Sequence, residues 1–332
     1  MPPRSPAAPG ALPPEGALAA LGRPGGGKGS ANQRGDGWTG GLTINDGLVK
    51  VTHAYGLGWG SVLTFNGGTI VATVDIATGQ DIRMGRSTEI YTETGTTTTL
   101  AGNLLSGAPG NGCFTKTGLG TLNVTGSATI DSTCVQQGKL LANGNFASQV
   151  TVARGATLGG AGTIKGEVLV HGTLSPGNSP GMLTADANVT MATGSTYKED
   201  IGGTVQASSA TPIGAAGYYS YLHVVNGKRF VIAPGVTLAP ALKDLYTPDE
   251  PGYGSAPLAP QLGQTFRIVT ADGGITGRFD MLAQPAGLDG KRMAVFYNVD
   301  GSNSIDLKVL PASYAAFAGG ANANGRAAGA VL

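Results

Sequence analysis

Leu183, Ala185, Ala187, Val189 and Met191 occupy every second position of one segment, which places them on a single face of an extended strand. The same alternation runs through GLVKVTHAYG, GSVLTFNGGTIVATVDIATG, TKTGLGTLNVTGSATI and SQVTVARGATLGG. Each run is cut by Gly, Pro or Asn, the residues that favour tight turns. No segment is a convincing helix, so the pattern predicts an all-β chain. The runs also recur. Val150-x-Val152 returns 18 residues on as Val168-x-Val170 and 21 further on as Val189-x-Met191, while Leu122 and Leu140 are 18 apart. Apolar pairs at this spacing fit successive coils of a parallel β-helix, a solenoid whose inward side chains stack into one core. Neighbouring coils would lie ~4.8 Å apart, with Gly and Asn at the corners. A β-sandwich or barrel, with strands every ~8–12 residues, fits less well with the unequal turn lengths and the 6% aromatic content.

The pattern divides the chain. Residues 1–37 are rich in Pro, Gly and Ala, with GRPGGGKGS at Gly22–Ser30, and read as disordered. Residues 38–200 read as the β-helix stem. From residue 201 the repeat loosens, Pro- and Gly-rich insertions enter at about Gly202–Gly217 and Tyr246–Gln261, and most of the ten Tyr residues follow. A solenoid end exposes unpaired strand edges and an open core, so residues 201–310 are expected to form a C-terminal β cap. Residues 311–332 are Ala-rich and weakly helical.

Composition agrees with extended structure. Gly is 57 of 332 residues, more than twice the usual ~7%, and charged residues are 12% against the usual ~25%. With a net charge of +1 and no basic patch, nucleic acid is not an expected partner. No run of ~20 apolar residues could span a membrane as a helix, and the N-terminus lacks the order of a signal peptide.

TKTGLGTLNVTGSATI, GATLGGAGTIKGEVLVHGTLSPGNSPGMLTADANVTMATGSTY, YLHVVNG, GQTFRIVTADGGITGRFDML and NSIDLKV, taken together and in this order, resemble the C-terminal passenger region of bacterial autotransporters (type V secretion). The resemblance covers roughly Cys113 to Leu310. It implies a right-handed β-helix carried to the cell surface through an outer-membrane β-barrel, with the segment before the barrel acting as an autochaperone. It also implies a translocator barrel and the outer-membrane assembly machinery as partners; a host receptor is a further candidate partner. The expected location is the surface of a Gram-negative bacterium, or the medium. ANANGRAAGAVL resembles the start of the linker that leads into the barrel. No strands of a barrel follow, so the chain is expected to be a truncated or split passenger, and a monomer. A fragment of a two-partner-secretion protein or of a phage fibre is an alternative.

Little catalytic chemistry is visible. Gly177-Asn178-Ser179-Pro180-Gly181 matches the nucleophile elbow G-x-S-x-G, but Pro180 lacks the N–H that the oxyanion hole requires. His171-Gly172-Thr173 resembles the histidine motif of subtilisin-like proteases, which some autotransporters carry, without its serine and aspartate motifs. His53 and His223 are isolated, so no triad or metal cluster is expected. A polysaccharide lyase or glycosidase on a β-helix would need carboxylates grouped in one groove. Asp75, Asp81, Asp131 and Asp186 do not keep the coil spacing and read as turn residues. Gly25–Ser30 fails as a phosphate loop, because Gly29 follows Lys28 where Ser or Thr is needed. No cofactor, metal or catalytic residue is therefore assigned, and the chain is expected not to be an enzyme.

Two sites remain. Arg34-Gly35-Asp36 is an integrin-binding tripeptide in the flexible N-terminal segment, and some autotransporter adhesins display such a sequence. Cys113 and Cys134 are 21 residues apart, close to one coil, and the ~4.8 Å coil spacing lies within disulfide reach. They read as a disulfide, with two buried free thiols as the alternative.

Overall fold

The computed structural model describes residues 42–54, 56–57, 62–107, 112–244 and 257–314. Arg34, Gly35, Asp36 and the Ala-rich stretch after residue 314 lie outside them. The described residues form a parallel β-helix with three faces, and no α-helix occurs among them. The first sheet has 12 strands, starting at Leu42–Ile44; the second has 10, starting at Leu48–Val51; the third has 11, starting at Ile76–Thr78.

Each sheet is a stack of like residues, as the spacing predicts. On the second face Val150 pairs with Val168 and Val168 with Val189, and Val152, Val170 and Met191 align one rung over. On the third face Leu122, Leu140, Leu158 and Leu174 follow one another, then Tyr197 and Leu238. On the first face the inward row runs Leu63, Ile82, Leu104, Ala128, Phe146, Ile164, Ala185 and Val224. These rows meet in one continuous apolar core. Parallel pairing forces this repetition, because each coil must offer its neighbour the same face in the same register.

Six corners between the second and third sheets are built alike. Gly95, Gly118, Gly138, Gly155, Gly194 and Gly235 all have φ between +65° and +81°, a region costly to residues with a Cβ. At Gly138 an added Cβ would also lie 2.4 Å from the carbonyl oxygens of Gly118 and Gly120.

Parallel stacking continues past residue 200. Tyr221–Val224 pairs with Met182–Ala185 and with Thr265–Ala271, Phe230–Ile232 pairs with Val189–Met191 and Ile275–Thr276, and Thr237–Leu242 pairs with Thr196–Ile201 and Met281–Leu282. The insertion between Gly202 and Gly217 leaves and rejoins the stack at one point. Its ends are so close that a Cβ on Gly203 would lie 1.9 Å from the Gly217 carbonyl carbon.

The stack ends in an antiparallel cap. Ser304–Pro311 pairs antiparallel with Thr265–Ala271, and Lys291–Tyr297 pairs antiparallel with Ser304–Pro311. Below it aromatic rings fill the core. Tyr197 packs on Phe230 and Phe279 with ring centroids 5.9 and 5.8 Å apart, and Tyr219 meets Phe266 edge-on at 5.3 Å.

Candidate functional site

Outward side chains link the coils by polar ladders. The Asn143 amide donates to Asn123 Oδ1 at 2.8 Å, and the Asn178 amide donates to Asn143 Oδ1 at 2.8 Å. Asn143 Oδ1 also accepts the Ala161 N–H at 2.8 Å. This ladder ends in the loop Gly177–Gly181, the most chemically distinctive place on the stem. The loop is pinched, since a Cβ on Gly177 would lie 2.3 Å from Gly181 Cα. Ser179 has φ 67°, and the Ser179–Pro180 peptide is cis.

The Ser179 hydroxyl donates to Asp200 Oδ2 at 2.7 Å. Asp200 is 2% exposed, and its Oδ1 lies 3.3 Å from both Lys198 Nζ and Lys243 Nζ. The serine therefore faces a carboxylate held by two ammonium groups. A nucleophilic serine needs an adjacent base free to take its proton, and this carboxylate is already engaged by two ammonium groups. The arrangement ties the loop to the strand Thr196–Ile201.

The three histidines stand apart. Thr52 Oγ1 and His53 Nδ1 are hydrogen-bonded in an exposed turn, the His171 N–H donates to the Val152 carbonyl, and His223 stacks on Tyr221 with centroids 5.5 Å apart. Two of the acids named from sequence hold neighbouring coils. Asp75 Oδ1 accepts the Thr97 N–H at 2.7 Å, and Asp81 Oδ1 accepts the Asn103 N–H at 2.7 Å. Asp131 is exposed, and Asp186 is half-buried at the turn after Met182–Ala185. No group of three or more His, Cys, Asp or Glu side chains suited to a metal ion occurs among the described residues.

Cys113 and Cys134 form a disulfide with Cα atoms 5.9 Å apart. They lie on the outward side of adjacent strands of the second sheet, where Thr115 is directly opposite Cys134.

Lys116 and Glu199 are fully buried ionisable side chains that the sequence reading did not single out. Lys116 is inward, fully buried, and donates from Nζ to the carbonyls of Thr117 at 2.6 Å, Gly118 at 2.7 Å and Gln137 at 3.2 Å. Burial pushes its ammonium down to about 8. Glu199 is fully buried one strand-turn from Tyr197, and burial pushes its carboxyl well above the usual range. Both fall on the inward parity of their strands, Phe114-x-Lys116 and Tyr197-x-Glu199, so alternation alone marks them.

No protein-family model matches the chain. Over 94 residues, 28% of its length, it is 36% identical to an extracellular serine protease of Serratia marcescens. The chain spans only 9% of the length of that protein.

Proposed function

We propose that this chain is a structural stem segment of a secreted, passenger-type protein, presented at the cell surface or released, with its C-terminal end acting as cap and autochaperone. The observation that carries the reading is the in-register stacking of three sheets beneath an antiparallel cap, a scaffold built from coil-to-coil contacts. The similarity to an extracellular protein and the bridged cysteines support an oxidising, external location. On this reading its partners are a translocator barrel with the outer-membrane assembly machinery, and the stem is a monomer. Expression in a Gram-negative host between a signal peptide and an outer-membrane barrel tests it. The stem should become accessible to protease added to intact cells, and retention of a folded stem in the periplasm would reject the proposal.

Adhesion through Arg34-Gly35-Asp36 is a finer part of the same reading. Asp36→Glu should lose integrin-dependent cell binding, and equal binding by the variant removes this part alone.

A second reading, a fragment of a serine protease, is favoured by the name of the similar protein and by the Ser179–Asp200 contact. A fluorophosphonate probe separates the two. The stem reading expects no labelling, whereas labelling lost in Ser179→Ala would establish the protease.

A further inference from the structure

We propose that Glu199 is a proton-linked latch: the last coils fold around it as the neutral acid, so this end of the stem takes up a proton on folding and loosens as pH rises. The geometry is that of a carboxyl group with no counter-charge. Tyr197, Glu199 and Ile201 point into the core from Thr196–Ile201 and are all fully buried. Neither carboxyl oxygen of Glu199 has a hydrogen-bond partner within normal geometry. Asp200, on the opposite face, has Ser179, Lys198 and Lys243. One strand thus holds two adjacent acids, one provided with cations and one without.

Among the described residues, the groups that act on Glu199 supply no positive charge. On its own strand Asp200 opposes ionisation, and only the Tyr197 hydroxyl, which donates to the Ile268 carbonyl at 3.1 Å, favours it. The adjoining strands Gly217–Tyr219 and Tyr221–Val224 bring Tyr219 and Tyr221, both pushed up by burial, and His223, which stacks on Tyr221. Thr173–Pro176 and Thr237–Leu242, stacked on either side, carry no titratable side chain. Lys243, just beyond, faces Asp200. In the cap Arg267 is paired with Asp306 at 2.9 Å. A carboxylate without partners in such a core is expelled or protonated.

The direction of the effect follows. An unfolded glutamate loses its proton near pH ~4.3, and the folded one keeps it to a higher pH. Between the two values the folded state binds the extra proton, so stability falls as pH rises.

Wild-type protein labelled with ¹³C at the glutamate carboxyl should show by NMR one resonance still protonated at pH 6 and missing from Glu199→Gln. In urea, the unfolding constant of the wild type should rise by up to about tenfold per pH unit above pH 5, and that of Glu199→Gln should rise less steeply by one proton. If every glutamate of the wild type is ionised at pH 6, or if the two slopes are equal, the latch is refuted. The wild-type titration decides even if the variant does not fold.

Discussion

Lys116 stands directly opposite Val135 on the second sheet, with Ile90 on its other side. A cation thus occupies one rung of a row that is otherwise Ile, Val and Met. Its ammonium supplies donors to three carbonyls at a corner, so it acts as an internal cap for a turn.

Lys116→Met keeps the volume and removes those donors. Leaving buried carbonyls unpaired costs about 1–3 kcal/mol each, partly offset by removal of a buried charge, so the variant should be less stable. The folded lysine titrates at about 8, below the unfolded value of ~10.4. Between these values the unfolded chain binds more protons, and the wild type should gain on the variant as pH rises from 8 to 10. Urea melts across that range provide the check.

Cys113→Ser with Cys134→Ser opens the bridge between adjacent coils. A loop of this size is worth on the order of 3 kcal/mol, and thermal unfolding of the variant should fall accordingly. The reduced wild type should match the variant.

Gly138→Ala and Gly155→Ala form a controlled pair. Both glycines have positive φ, +65° and +80°, and each substitution carries a backbone cost of roughly 1–2 kcal/mol. Nothing lies within 4 Å of an added Cβ at Gly155, whereas at Gly138 two carbonyl oxygens lie 2.4 Å away. The Gly138 variant should be clearly the more destabilised, as read by denaturant midpoint.

Phe279→Asp and Phe266→Asp place a charge among the buried rings under the cap. Either is predicted to abolish folding of the whole stem, since an uncapped solenoid loses its end. Phe279→Leu should fold with a loss of roughly 1–3 kcal/mol. Circular dichroism and limited proteolysis distinguish the outcomes, and native β-structure in both Asp variants would refute the proposed autochaperone role of the cap.

Much of the fold is legible in the sequence because parallel coils repeat residue type at fixed register. Val150, Val168 and Val189 are aligned neighbours in space for the same reason that they are periodic in the chain. The cap is less legible. Ser304–Pro311 pairs with Thr265–Ala271 across an intervening segment, and no period announces an antiparallel partner. The continuation of the stack past residue 200 is hidden by the Gly202–Gly217 insertion, which breaks the spacing without breaking the register. At the candidate site, the missing N–H of Pro180 was readable, but the meeting of Ser179 with Asp200 was not, since it depends on how two coils lie against each other. Lys116 and Glu199 lie on the inward parity of their strands, yet the sequence reading passed them over because a charged side chain argues against a core position.

The pinched neck at Gly203 and Gly217 has a practical consequence. A loop whose two ends already touch can be lengthened at little cost, about 0.6 kcal/mol for each doubling of its length, because the stack on either side is undisturbed. Foreign peptide grafted at this loop should therefore leave the coils below in register.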